Sequence, residues 1–172
     1  AGNTSPAANQ TLSVDLGAPT LTSSNPADED ATFAPNSDLI LTFSENIQSG
    51  TGSVVLYDSA GNAVETFDLT SGSGDAGGTL SIVNNQLTIN PGVDLTASTG
   101  YYLNIASGAI TDAANNPYAG ITDATTLNFS TAAAPDTTAP TLASSNPTAG
   151  TSNFAPNSDL ILTFSEPIAQ GT

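Results

Sequence analysis

The sequence predicts an all-β protein, a Greek-key sandwich of seven to eight short strands repeated in tandem. Three observations carry that expectation. Leu39, Leu41 and Phe43 alternate with Asp38, Thr42 and Ser44 on residues 36–45, the period-two spacing of a half-buried strand, with Ile40 adding partial cover on the second face. The same ten residues return at 157–166. No segment carries an apolar stripe at helical spacing, and residues 106–114 have room for a single helical turn, whereas turn-forming clusters separate one short alternating run from the next.

Taken in order, Leu12, Val14 and Leu16 alternate and predict a short strand that ends at the hinge Gly17. After Pro26 the acidic loop Asp28-Glu29-Asp30 leads through Pro35 to the strand of residues 39–43. Residues 53–57 and 63–69 flank Asp58-Ser59-Ala60-Gly61-Asn62 and predict a hairpin. The Gly-rich stretch 71–78 reads as a mobile loop. Residues 80–82 and 87–89 lie either side of Asn84-Asn85, which tolerate left-handed turn geometry. Tyr101, Leu103 and Ile105 form the next alternating set, residues 111–121 a long polar loop, and Thr125, Leu127 and Phe129 the last strand. Residues 132–138, with Pro135, read as a stiff linker. The core is expected to comprise Leu21, Leu39, Leu41, Phe43, Val55, Tyr57, Leu87, Ile89, Tyr101, Leu103, Ile105, Leu127 and Phe129.

The repeat unit begins at Ala18 and its copy at Ala139, a period of 139 − 18 = 121 residues, and residues 18–51 match residues 139–172 at 24 of 34 positions. A period of that size is a domain, not a solenoid turn. The expected organisation is therefore residues 1–17 as the last strand and linker of a preceding repeat, 18–138 as a complete repeat with its linker, and 139–172 as the first two strands of the next. Two strands cannot bury a sandwich core. The chain is thus expected to be a segment of a longer array, with strand addition between chains of a fibre as the alternative.

Charge excludes several functions. The chain of 172 residues holds 16 acidic residues, no Lys, Arg or His, and no Cys. Binding to nucleic acid or to an anionic membrane surface needs cations that it lacks. Disulfides, thiolate metal sites, Lys–Asn cross-links and histidine acid–base chemistry are excluded in the same way. No run reaches the roughly 20 apolar residues of a membrane span, and no secretory signal opens the sequence, so the start is expected to be a mature or excised one. Sequons at Asn3, Asn9 and Asn128 permit N-glycosylation where the machinery exists, although chance matches are expected in so Asn-, Ser- and Thr-rich a chain and Asn128 lies in an expected strand.

Residues 39–47 (LILTFSENI), 160–168 (LILTFSEPI), 95–105 (LTASTGYYLNI) and 110–121 (ITDAANNPYAGI) resemble the bacterial Ig-like repeats found in S-layer proteins and very large surface adhesins. The resemblance implies an immunoglobulin-like sandwich used as an extracellular spacer or cohesive module, with calcium stiffening the junctions between repeats in some adhesin relatives. Tyr101 matches the tyrosine-corner position, whose hydroxyl bonds to nearby backbone.

In such a sandwich the strands alternate in direction, which sorts the loops by pole. The incoming linker, the loop after the second strand and the loop before the last strand share one pole, and they hold Asp15, Glu45, Asp112 and Asp123. Asp136 and Glu166 repeat Asp15 and Glu45 one period later. With no cationic side chain to balance them, a hard divalent ion is the natural partner of such loops. A Ca²⁺ site is expected at each junction: Asp15, Glu45, Asp112 and Asp123 in one, Asp136 and Glu166 in the next. Solubilising surface charge is the competing reading. Asp28-Glu29-Asp30 is set aside because the second copy reads Ala149-Gly150-Thr151. Carboxylate pairs can hydrolyse glycosides, but no aromatic cleft accompanies these, so no enzyme is expected.

The function expected from these residues is that of a structural repeat in an extracellular bacterial filament, adhesin stalk or surface layer at the cell surface. Its partners would be neighbouring repeats or copies of itself. The alternative is a module that binds a glycan or a protein ligand through exposed loop aromatics, of which Tyr118 is the best candidate.

Overall fold

The computed structural model describes residues 15–170. The strand expected at residues 11–16 lies largely outside them. Fourteen strands follow: β1 (Leu21–Asn25), β2 (Asp30–Phe33), β3 (Leu39–Phe43), β4 (Ile47–Ser49), β5 (Ser53–Asp58), β6 (Ala63–Asp68), β7 (Ser73–Gly74), β8 (Thr79–Val83), β9 (Gln86–Asn90), β10 (Gly100–Ile105), β11 (Ile110–Asp112), β12 (Asn128–Thr131), β13 (Leu142–Asn146) and β14 (Ile161–Phe164). They fall into two units divided between Ala134 and Pro135.

In the first unit a hydrogen-bonded ladder runs β1-β3-β9-β8-β7-β6-β5-β10-β12-β2. Eight strands make its two layers: β1, β3, β9 and β8 on one side, β6, β5, β10 and β12 on the other. The two-residue β7 pairs with both β6 and β8 and joins the layers. β2 adds to β12 in parallel, and β4 pairs with β11 as a separate ribbon. The larger number of strands than the seven to eight expected comes from these short additions. The stretch 71–78, expected as a mobile loop, carries β7, and residues 110–112 form a strand where one helical turn was the alternative.

The core lies between the layers. Leu39, Leu41, Leu87 and Ile89 from one layer meet Leu56, Phe67, Leu103 and Ile105 from the other, all fully buried. Burying each such side chain contributes roughly 1.5–3 kcal/mol. Two core expectations fail. Val54 and Leu56 point inward, opposite Ile105 and Leu103, and Val55 and Tyr57 point outward. Residues 54–57 are all apolar or aromatic, so alternation alone leaves the face undecided, and the pairing register decides it. Leu21 is only partly buried at the core's edge. The Tyr101 hydroxyl accepts a hydrogen bond from the Thr96 N–H at 2.9 Å, which closes a tyrosine corner.

Glu65 is one of two buried carboxylates among the described residues, 1% exposed. Its two oxygens accept the N–H groups of Gly78 at 2.6 Å and Gly92 at 2.8 Å. A Cβ at Gly74 would collide with that carboxylate, so the Gly-rich stretch wraps closely around it.

The second unit is a two-stranded ladder, β13 with β14. Its register, Leu142↔Phe164 to Asn146↔Ile161, repeats that of β1 with β3, Leu21↔Phe43 to Asn25↔Ile40, at an offset of 121, including the irregularity after the first pair.

Candidate metal centre

Three of the carboxylates expected at the first junction converge. Asp15, Glu45 and Asp112 each place an oxygen within 4.8 Å of the others. Each is positioned by backbone that the sequence folds locally.

Glu45 lies in the short connection from β3 to β4. That connection is held on three sides: the Ser44 N–H donates to the Thr20 carbonyl at 2.9 Å, the Thr20 N–H to the Ser44 hydroxyl at 3.0 Å, and the Ile47 N–H to the Asn84 carbonyl at 2.9 Å. Asn84 itself sits in the left-handed region, φ +55°, at the tip of the β8–β9 hairpin. Asp112 ends β11, opposite Ile47 on β4. Asn116 grips it twice, its N–H on Oδ1 and its Nδ2 on Oδ2, both at 2.7 Å. The same Nδ2 reaches the Asp15 backbone carbonyl at 3.1 Å, and the Asp15 carboxylate turns back onto the Gly17 N–H at 3.0 Å. Asn116 thus ties the incoming chain to the β11 loop.

The electrostatics are asymmetric. Glu45 is pushed above its ordinary pKa by loss of solvent, then by the negative charges of Asp15 and Asp112. Asp112 is 1% exposed, and burial opposes its charge. The Asn116 side chain and backbone, with further N–H donors, outweigh that and hold it below the usual carboxylate range. Hydrogen bonds therefore keep Asp112 ionised, while Glu45 resists becoming the third negative charge.

Asp123 does not join this group. It lies in a bulge between Ile121, which bridges to Ile105, and Leu127, whose carbonyl accepts the Leu103 N–H. Its oxygens take four hydrogen bonds at 2.8 Å, from the N–H and hydroxyl of Thr125 and of Thr126, which pull its pKa down to about 2. The pole assignment fails here because residues 121–131 run along β10 as one interrupted strand. The loop before β12 is an excursion from the sheet edge, not a turn at the pole.

In the second unit the same local frame recurs. The Ser165 N–H donates to the Thr141 carbonyl at 2.9 Å and the Thr141 N–H to the Ser165 hydroxyl at 3.0 Å. Asp136 is held below its usual pKa by the Thr138 hydroxyl and N–H, and then by the side chain of Glu166. The Glu166 Oε1 is shielded from solvent with no hydrogen-bond partner. Asp136 and Glu166 therefore adjoin, one period after Asp15 and Glu45. Asp28 spends its Oδ1 on the N–H and Nδ2 of Asn128, at 3.1 and 3.2 Å. Tyr118, expected as an exposed loop aromatic, is 8% exposed and packs edge-on against Phe43 with centroids 5.2 Å apart.

A two-layer antiparallel sandwich with a tyrosine corner and a split first strand, β1 on one layer and β2 on the other, defines an immunoglobulin-like domain. The chain belongs to the bacterial Ig-like domain family, which it matches over residues 15–131 and 136–172. Domains of this family are typically non-catalytic structural modules, commonly exposed at surfaces. The two matched segments begin at Asp15 and Asp136, so family membership groups the incoming linker with the repeat it precedes. No curated protein matches the chain significantly. Among the described residues, no helix is long and apolar enough to cross a membrane.

Proposed function

We propose that the chain is a structural repeat of an extracellular bacterial filament, adhesin stalk or surface layer, and that Ca²⁺ held by Asp15, Glu45 and Asp112 stiffens the entrance to the repeat. One observation carries this reading: three carboxylates converge within 4.8 Å in a chain with no Lys, Arg or His to neutralise them. The donor set suits the ion. Calcium takes six to eight oxygens, mixing carboxylates with backbone carbonyls and water, and the site offers three carboxylates, with water to complete the shell. Nitrogen and sulfur ligands, which select zinc and copper, are absent from the described cluster.

The residues of the protein define what the ion would do. Asp15 stands in the incoming linker, Glu45 and Asp112 on the sandwich. An ion shared by the three fastens linker to domain across a gap spanned, among the described residues, by the Asn116 Nδ2 bond to the Asp15 carbonyl. Asp136 and Glu166 begin the same arrangement one period later. The repeat then acts through its length and stiffness.

Titration calorimetry on the metal-stripped chain, with Ca²⁺ against Mg²⁺, tests the proposal. Binding of Ca²⁺ with a rise in melting temperature is expected, with Mg²⁺ weaker. Absence of heat together with an unchanged melting temperature refutes the calcium site.

A further inference from the structure

The outer face of the second layer carries a feature that the calcium reading leaves unused. Tyr57 on β5 and Tyr102 on β10 are direct cross-strand partners. Their rings stack nearly parallel, with centroids 4.9 Å apart and planes 11° apart, on the face opposite the core. A stacked cross-strand aromatic pair stabilises the sheet by itself, and it leaves both tyrosines half-buried in the middle of the face, open to a further partner.

Two open concavities flank this pair. One, of about 220 Å³, is lined by Tyr57, Val55, Asn104 and Thr122 among others. The other, of about 370 Å³, is lined by Tyr102, Gly100, Thr125 and Ser130 among others. The bulge of residues 122–126 borders both, through Thr122 on the first and Ala124 and Thr125 on the second, and its shape is fixed by the four hydrogen bonds to Asp123. Gly100 and Ser130 face each other across the β10–β12 pair and line the second concavity with Tyr102.

The first concavity also holds an orphan. Asn104 Oδ1 is shielded from solvent and has no hydrogen-bond partner among the described residues. An unpaired buried acceptor costs free energy, and a turn of the Asn104 amide toward the concavity it lines would let an O–H or N–H donor pair it.

We infer that this face, built on Tyr57, Tyr102 and Asn104, binds a neutral oligosaccharide that lies along the wall of residues 122–126 and straddles the tyrosine pair. Sugar rings present apolar C–H faces to aromatic rings and hydroxyls to amide oxygens, the two chemistries the groove supplies. The charge selects the class of sugar: at a net −16 with no cationic side chain, the chain repels uronates and sulfated glycans. The site shares no residue with Asp15, Glu45 and Asp112, so it stands or falls apart from the calcium proposal.

The test uses the whole chain and a panel of hexasaccharides: neutral gluco-, manno- and N-acetylglucosamine oligomers against uronate and sulfated oligomers, in the presence of a chelator. The chain has four Tyr and no Trp, so tyrosine fluorescence reads binding beside calorimetry. A neutral oligomer is expected to bind. Tyr102→Ala should weaken it about tenfold, and Tyr102→Phe should retain the ring and most of the affinity. Asn104→Leu should weaken it about fivefold while leaving the melting temperature equal or higher, because it removes the orphan acceptor. That divergence separates a binding role from a structural one. The inference is overturned by any of four outcomes: no neutral oligomer binds, the anionic ones bind better, binding is indifferent to both Tyr102→Ala and Asn104→Leu, or the face instead drives a self-association that Tyr102→Ala abolishes.

Discussion

The ladder β1–β3 and the ladder β13–β14 are built from nearly the same residues in the same register, and they differ in burial. Leu39 and Leu41 are 0% exposed, and their counterparts Leu160 and Leu162 are 64% and 47% exposed. Phe33 and Ile47 are buried, and Phe154 and Ile168 are exposed. The pairing, the irregularity after Leu21 and Leu142, and the Thr–Ser clamp at the end of the second strand all recur. Strand and register are thus local properties of this sequence, set by alternation and by a few side chain–backbone bonds. Burial is not local. It comes from β9, β5, β10 and β12, whose counterparts lie outside the second unit.

The sharpest way to break the comparison is to cut the same leucine in each copy. Leu41→Ala should cost about 2–5 kcal/mol through lost burial and a residual cavity, whereas Leu162→Ala should stay within about 0.5 kcal/mol, both read by denaturant unfolding of the first unit. Equal effects would mean that the second ladder is buried in solution. Next comes calcium, which separates a three-carboxylate site from a two-carboxylate one. At a hundredfold excess over Kd, Ca²⁺ should stabilise the first unit by about 2.7 kcal/mol. Asp112→Asn should remove that increment, and Glu166→Gln should leave it intact. Glu45→Gln should abolish the calcium response as well, yet raise the melting temperature of the metal-free protein at neutral pH. Its folded pKa is raised, so its ionisation costs stability as pH rises through the folded value.

Glu65 probes the interior of the first unit. Glu65→Ala should cost about 1–3 kcal/mol by leaving the N–H groups of Gly78 and Gly92 unpaired, and hydrogen exchange at those two amides should accelerate. The smallest effect concerns acid. Asp123 titrates at about 2 in the fold against 3.8 ordinarily. It therefore contributes stability that is complete above about pH 4 and lost as pH falls towards 2. Asp123→Ala should flatten that part of the stability curve for the first unit, as followed by melting temperature against pH.

Much of this was legible in the residues. Alternation fixes β3, β9, β10 and their core faces, because each run is polar on one side. It fails at residues 54–57, where both faces are apolar and only pairing with β10 decides. Asp15, Glu45 and Asp112 could be brought together from the alternating strand directions that the Ig-like resemblance implies, which sort the loops by pole. Asp123 could not, because nothing in Thr122-Asp123-Ala124-Thr125-Thr126 tells a bulge along an edge from a turn at a pole. Tyr118 looked like a loop residue by its neighbours Asn116 and Pro117, yet the loop folds back and buries it on Phe43. Glu65 was invisible: a carboxylate at a strand position reads as outward-facing unless the glycines that receive it are known to be near. The tyrosine pair needed cross-strand register, which a single strand does not contain.

The parallel pairing of β2 with β12 has a mechanical meaning. One lies near the start of the domain and the other at its end, side by side and pointing the same way. Tension applied through the two ends pulls these neighbours in opposite directions along their own length. Their slanted hydrogen bonds are then loaded in shear and share the force, where a hairpin pulled from its open end would give them up one by one. Beyond the β1–β3 pair, which stands between the N-terminal end and β2, stretching meets a lock in this repeat, not a zipper.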